Sequence, residues 1–319
     1  MDRELIRPLK AFNDLNLLSG LDTKLDEVRK SAFARQKSAL SKFTVPTSHD
    51  LSILEVISED GAIVEIRLIR PKIQNKPIPF ILWLHGGGFV IGNAAQDDPF
   101  ATQLSIKTGY AVAIVDYRLA PENPFPKPLQ DSVSGLKYLI NHADELRLNQ
   151  EIFFIGGASA GGGIGAAVSI FLRDEKTQFQ PRGQILLYPM LDYKNIEQAK
   201  NYVGLDWDVW GIRENAFGWS SYLGEFDFDE TTICYASPSQ LTNFKALPPT
   251  LIIVGDLDLF ASENIDYARN LMLAGVSCDF RIFSGAYHGF IGLCQEAGVS
   301  LQSKEQISLF IEKYGNQDG

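Results

Sequence analysis

Cysteine and histidine are the scarce residues of this 319-residue chain, with three of the first and four of the second. Cys234, Cys278 and Cys294 form no CxxC pair and are odd in number. That argues against a disulfide framework or a zinc ribbon, and predicts a metal-free protein in a reducing, cytoplasmic setting. Apolar runs are short, none approaching the ~20 residues of a membrane span. Met1-Asp2-Arg3-Glu4 leads into a charged helical pattern, so a signal peptide is not expected. Basic residues are outnumbered, 29 against 39 acidic, for a net charge of −10. A chain of that sign repels nucleic acid unless its cations are concentrated. Residues 1–43 hold nine Lys/Arg against six Asp/Glu, which reads as a solvated helix face. No G-x-x-x-x-G-K-[ST] is present, so a phosphate-cradling loop has no support.

With 45% hydrophobic and 21% charged residues the composition is that of a globular protein, and the length allows about two domains. Residues 1–45 read as helical, with Leu21, Leu25, Val28 and Ala32 spaced three and four apart on one face. From residue 51 the pattern changes to two β-branched runs, Leu51–Ile57 and Ala62–Ile69, joined through Asp60-Gly61 as an antiparallel hairpin. Beyond it, apolar runs at Pro79–Leu84, Ala111–Val115, Ile152–Ile155, Gln184–Leu187, Thr250–Val254 and Cys278–Phe283 alternate with helical segments. Those helices are expected near 97–108, 129–146, 160–173, 262–274 and 302–314. Continuous apolar strands with helices between them predict an α/β fold: a mostly parallel central sheet in a three-layer sandwich, the hairpin at one edge. Residues 193–248 are longer than a strand–helix connection needs. They carry Trp207, Trp210, Phe217, Trp219 and Tyr222, aromatics that either anchor a loop or roof an apolar pocket with the N-terminal helices.

The strongest chemical signal is Gly157-Ala158-Ser159-Ala160-Gly161, a G-x-S-x-G placed directly between a strand and a helix. A serine on that turn projects its hydroxyl above the sheet, and the following helix aims N–H groups at the same spot. Gly161-x-Gly163-x-x-Ala166 matches a loose dinucleotide fingerprint but lies inside the helix, so hydride transfer ranks below acyl transfer. His85-Gly86-Gly87-Gly88-Phe89 follows another strand, and three successive glycines suit backbone N–H groups that must approach an oxyanion closely. His85 is then read as shaping that loop rather than as a base. A serine nucleophile needs a base. His288, on the loop after the last strand, sits at the sheet edge where such sites lie. His142, in a charged helical segment, and His49, ahead of the hairpin, are placed on the surface. For the orienting carboxylate, position alone leaves both Asp256 and Asp258 open. The order Ser, Asp, His is that of α/β-hydrolases.

These motifs carry a resemblance. His85-Gly86-Gly87-Gly88, Asp116-Tyr117-Arg118-Leu119-Ala120-Pro121-Glu122, Gly157-Ala158-Ser159-Ala160-Gly161-Gly162 and His288-Gly289-Phe290 stand in the order found in the hormone-sensitive-lipase-like α/β-hydrolase carboxylesterases, which the chain resembles from about residue 79 to 292. The resemblance implies the α/β-hydrolase fold as a single domain with a helical cap from about 1–45 and 193–222. It selects Asp258 through the family pattern D-x-[LF]-x-x-E, matched by Asp258-Leu259-Phe260-Ala261-Ser262-Glu263. It implies a Ser159–Asp258–His288 triad and oxyanion donors on Gly87, Gly88 and Ala160, with His85 and Gly86 shaping the loop. Asp116 and Arg118 become structural braces. Two positions depart from the family pattern: Ala158 stands where relatives often have an acidic or hydroxyl residue, and Ser262 where they often have Asp.

The expected activity is cofactor-free hydrolysis of short- to medium-chain acyl esters through an acyl-enzyme, with a homodimer as the assembly that the family suggests. Low-pH loss of activity is expected to trace to protonation of His288. An amidase or lactone hydrolase would use the same constellation. A non-catalytic small-molecule receptor, as in the plant gibberellin receptors that resemble this family, is the alternative from another class; those receptors lack the catalytic histidine.

Overall fold

In a computed structural model, residues 1–15, 17–73, 75–195 and 209–316 are described. Their centre is an eight-stranded sheet: β1 (His49–Ile57), β2 (Ile63–Pro71), β3 (Ile78–Leu84), β4 (Ala111–Asp116), β5 (Leu148–Ala158), β6 (Gly183–Leu187), β7 (Thr250–Gly255) and β8 (Cys278–Phe283), in the order β1-β2-β4-β3-β5-β6-β7-β8. The hairpin β1–β2 pairs antiparallel through Ile57↔Ile63 and joins β4 antiparallel, and every other pairing is parallel. The expected strands and the edge hairpin are thus observed. β5 runs further in both directions than its apolar stretch, to within one residue of Ser159.

Period-two geometry explains the continuous apolar runs. In β3, Phe80, Leu82 and Leu84 face one core while Ile81 and Trp83 face the other. β4 divides likewise, Ala111, Ala113 and Val115 against Val112 and Ile114. Both faces are covered by helices, so alternating residues are all buried. Each fully buried aliphatic side chain contributes about 1.5–3 kcal/mol. The covering helices include α3 (Asp98–Thr108), α4 (Lys127–Asn141), α5 (Ala143–Leu146), α6 (Ala160–Asp174), α8 (Ala261–Leu273) and α10 (Gly298–Gly315), with the one-turn α9 (Phe290–Leu293) before the last. The segment expected as one helix at 129–146 breaks at His142 into α4 and α5.

The N-terminal region forms two helices, α1 (Arg3–Asp14) and α2 (Leu25–Leu40), rather than a continuous stretch. Asp26 and Glu27 in the first turn of α2 and Lys37 in its last complement the helix dipole. The segment between β6 and β7 contributes α7 (Ile212–Leu223). Residues 196–208, with Trp207, lie outside the described residues. Among the described residues no helix is long and apolar enough to cross a membrane.

One histidine expectation is corrected. His49 is buried, 8% exposed, rather than on the surface. β1 begins two residues earlier than its apolar pattern, so the imidazole enters the ladder opposite Pro71 and burial lowers its pKa. His142 is half-buried and stacked on Tyr138, ring centroids 4.0 Å apart.

α6 is buried over most of its length, and its start presses on the end of β3. A Cβ at Gly161 would lie 2.1 Å from the Leu84 carbonyl oxygen, whereas one at Gly165 would meet nothing closer than 3.5 Å. Gly161→Ala is therefore expected to lose about 1–3 kcal/mol in urea unfolding. Gly165→Ala is expected to be neutral or to gain up to about 1 kcal/mol of helix propensity. Equal effects of the two substitutions would contradict the packing described.

Candidate active site

β3, β5, β7 and β8 run parallel, so their C-terminal ends deliver four loops to one edge of the sheet. Ser159 occupies the turn from β5 into α6 with φ 56° and ψ −121°, a conformation that costs a residue with a side chain about 1–3 kcal/mol. Hydrogen bonds hold it there: its N–H donates to the Leu187 carbonyl at 2.9 Å, and its own carbonyl accepts from Met190 at 3.0 Å and Gly163 at 3.1 Å. The side chain therefore points away from the sheet, 7% exposed.

His288, in the loop after β8, meets it. His288 Nε2 lies 2.9 Å from Ser159 Oγ, and Nδ1 lies 2.9 Å from Asp258 Oδ2. A carboxylate beside Nδ1 places the ring proton there and leaves Nε2 as an acceptor. Asp258 is fully buried, and its other oxygen accepts the Phe260 N–H at 2.9 Å. The imidazole is boxed edge-on by Tyr188 and Phe260, at centroid distances of 5.0 and 4.9 Å. Asp256, the competing carboxylate, is exposed; it accepts from Ser284 Oγ at 3.0 Å and Gly285 N–H at 2.6 Å, tying down the loop that leads to His288.

The glycine loop after β3 lies alongside. Gly87 and Gly88 both have positive φ, 136° and 57°. A Cβ at Gly88 would come within 2.0 Å of the Trp210 ring, so the residue's bareness lets that indole cover the loop. Gly86 packs near Ser159, an added Cβ there lying 3.4 Å from Ser159 Cβ. His85 is fully buried and stacked on Tyr117, centroids 4.2 Å apart. Its Nδ1–H donates to the Gly86 carbonyl at 2.9 Å, and Tyr117 Oη donates to the His85 carbonyl at 2.7 Å. Burial pushes the His85 pKa down and keeps the ring neutral. Ala160 opens α6, so its N–H has no partner within the helix.

Asp116 and Arg118 brace the surroundings. Asp116 Oδ1 accepts the Ala94 N–H at 2.7 Å, and Arg118 pairs with buried Asp131 at 2.7 Å and with Asp60 at 2.9 Å. Hydrogen bonds from Arg118 and Lys127 hold the Asp60 carboxyl well below the usual carboxylate range.

Residues of α1 and α2, with Val209 and Trp210 just before α7, border the space over Ser159. Arg29 of α2 donates to the Val90 carbonyl at 2.8 Å and the Ala120 carbonyl at 2.7 Å, and pairs with Glu122 at 2.7 Å. Gln36 and Asn93 exchange amide hydrogen bonds at 2.6 and 2.7 Å. Phe89 stacks on Tyr222 of α7, centroids 4.0 Å apart and ring planes nearly parallel. Beneath lies a cavity of about 510 Å³ that reaches Ser159, His288 and Gly86–Gly88 and is bordered by Leu18, Phe33 and Trp210.

Three residues near the site had no role assigned from the sequence. Tyr188 and Asp97 border the cavity, and no sequence motif marks either. Glu263 stood in the D-x-[LF]-x-x-E pattern without a role. It is buried and accepts N–H groups of Leu191 at 2.6 Å and Asp192 at 3.3 Å, together with Asn195 Nδ2. Asn195 Oδ1 accepts from Asn215 of α7 at 2.7 Å, so the network joins α8 to the roof.

Comparison with known proteins is consistent with this geometry. A family model described as the alpha/beta hydrolase fold matches residues 81–292. An AB hydrolase superfamily protein of Schizosaccharomyces pombe is 33% identical over 259 residues, covering 76% of this chain and 73% of its own. An ethyl acetate hydrolase of Pseudomonas putida is 26% identical, covering 83% of each chain. Among solved structures, a bacterial heroin esterase superposes with a TM-score of 0.88 at 33% identity, covering 99% of this chain and 98% of its own.

Burial pushes the Glu263 carboxyl well above the usual range. A carboxyl that binds its proton more tightly when folded stabilises the protein fully below its unfolded value, about 4.3, and loses that contribution as pH rises toward the folded value. Glu263→Gln is therefore expected to flatten the decline in the urea midpoint from pH 4 upward. A variant that declines as steeply as wild type would contradict this.

Proposed function

The chain belongs to the α/β-hydrolase fold family, among its hormone-sensitive-lipase-like carboxylesterases, and from that premise we propose that it is a serine esterase acting through Ser159, His288 and Asp258. It is a carboxylic ester hydrolase. The observation that carries the catalytic reading is the unbroken relay from Ser159 Oγ through the imidazole to Asp258, with both contacts at 2.9 Å.

In the proposed cycle, His288 Nε2 takes the Ser159 proton as Oγ attacks the ester carbonyl. The developing oxyanion lies against the N–H groups of Gly87, Gly88 and Ala160, each key donor being worth about 3–4 kcal/mol in comparable sites. His85 and Gly86 set the shape of that loop. Asp258 holds the imidazole in the accepting tautomer and stabilises the imidazolium. The imidazolium returns its proton to the departing alcohol, water attacks the acyl-enzyme with His288 again as base, and the acid leaves. No cofactor enters the cycle. Of the cap expected from about 1–45 and 193–222, we assign the described residues 1–15, 17–45, 193–195 and 209–222 to a cap on a single hydrolase domain. The apolar border and modest volume of the cavity favour short- to medium-chain acyl esters. The receptor alternative has no observation in its favour, since His288 is in place beside Ser159.

Hydrolysis of short-chain p-nitrophenyl esters tests the assignment. Ser159→Ala is expected to abolish turnover above background, and equal rates in the two proteins would overturn the nucleophile. Asp258→Asn is expected to lower kcat by about 10⁴-fold. Asp256→Asn, which touches only the supporting loop, is expected to cost far less, and the reverse ranking would overturn the choice of acid. Absence of turnover by wild type would favour the receptor.

A further inference from the structure

Among the described residues, the cavity over Ser159 is bordered by one carboxyl, and the proposed cycle does not use it. Asp97 ends a 3₁₀ turn, Ala94–Asp97, that follows the glycine loop, and it borders the same cavity as Ser159, His288 and Tyr188. Trp83 Nε1 donates to its Oδ2 at 2.8 Å. Oδ1 meets no donor among the described residues. The neighbouring Asp98 is different: it is buried and paired with Arg67.

Among the described residues, the charged and titratable groups around Asp97 leave it without a countercharge. Arg29 is committed to Glu122 and two carbonyls, and Arg35 stands exposed at the cavity border. Asp98 is its negative neighbour, and Asp116 lies beyond, beside neutral His85. Burial pushes the Tyr117 and Tyr188 hydroxyls up, so both are neutral. His288 is held by Asp258 and Ser159. A carboxyl at the border of this mostly apolar cavity, given one indole N–H and paired with no cation among the described residues, is one that a ligand cation completes.

We propose that Asp97 is a specificity-determining residue that receives a protonated amine on the substrate, so that the cavity favours esters bearing an ammonium group over their uncharged isosteres. The proposal rests on the esterase reading and adds a substrate class to it. The protein carries the machinery for ester cleavage at Ser159, and Asp97 acts only on binding. The ammonium supplies the missing partner of Oδ1 while its alkyl substituents remain against the apolar walls. Burial, together with the nearby Asp98 charge, pushes the Asp97 carboxyl up to about 7 despite the Trp83 hydrogen bond. Near neutrality the free site is therefore partly protonated, and an arriving cation favours the ionised form.

Matched ester pairs that differ by one atom test this on either side of the scissile bond. On the alcohol side, 2-(dimethylamino)ethyl butanoate is compared with 3-methylbutyl butanoate. On the acyl side, ethyl 4-(dimethylamino)butanoate is compared with ethyl 5-methylhexanoate. The readout is the ratio of kcat/KM within each pair, in which the protonation of His288 cancels. Asp97→Asn keeps an acceptor for Trp83 and is expected to lower the amine-to-isostere ratio about tenfold in at least one pair, through KM, with kcat for the uncharged ester retained. In wild type the ratio is expected to rise between about pH 5.5 and about pH 7.5 as Asp97 ionises while the amine stays protonated, a test that needs no variant. Ratios that are flat with pH and the same in both proteins would overturn the role of Asp97 and leave the esterase reading intact. Failure of wild type to hydrolyse any of the four esters would overturn both.

Discussion

The site depends on one close approach: the first turn of α6 against the end of β3, where Gly161 stands over the carbonyls of Leu84 and His85. An added methyl group would meet both oxygens at 2.4 Å or less, so no other residue fits without separating the helix from the strand. That contact fixes the distance between two loops that carry different chemistry. One holds Ser159 in its left-handed turn, and the other presents the backbone of Gly86–Gly88. The strain stored at Ser159 is offset by the three hydrogen bonds on its peptide groups and by the burial of α6 behind it. A serine on a relaxed loop would lack the fixed direction that brings Oγ to the His288 ring.

The roof is built onto the same loop rather than placed over it independently. Trp210 rests on Gly88, Phe89 stacks on Tyr222, and Arg29 takes the carbonyl of Val90. Two separated parts of the sequence, α2 and the segment between β6 and β7, thus converge on residues 88–90. The polar network from Glu263 through Asn195 to Asn215 makes a second connection, from the helix that follows Asp258 to α7. Substrate enclosure and backbone positioning consequently share the same contacts.

Much of this was legible in the sequence because its signals are local. Continuous apolar runs marked strands buried on both faces, and Asp60-Gly61 marked the hairpin. G-x-S-x-G between a strand and a helix identified Ser159 from its own neighbours, and position at a strand's C-terminal end singled out His288. Asp256 and Asp258 could not be separated by position, since both follow β7 within three residues. The family pattern D-x-[LF]-x-x-E selected Asp258, and the fold shows Asp256 turned to Ser284 and Asp258 to the imidazole. His49 was misplaced because a histidine carries no periodic signal and its burial comes from cross-strand pairing. Tyr188, Asp97 and Glu263 meet partners distant in the chain; Glu263 stood in the family pattern, but the pattern does not name the groups it binds. α7 and its aromatics were visible as an excess of length and tryptophan, but their seat on Gly88 was not.

The central claim is that Ser159 is the nucleophile and passes through a covalent intermediate. Its most direct measurement is covalent trapping: the protein is incubated with diethyl p-nitrophenyl phosphate, weighed intact by mass spectrometry, and digested to locate the adduct. The account predicts a single diethylphosphoryl group per chain, carried by the peptide that contains Ser159, appearing in step with loss of esterase activity. An adduct on another residue, or full loss of activity with Ser159 unmodified, would contradict it.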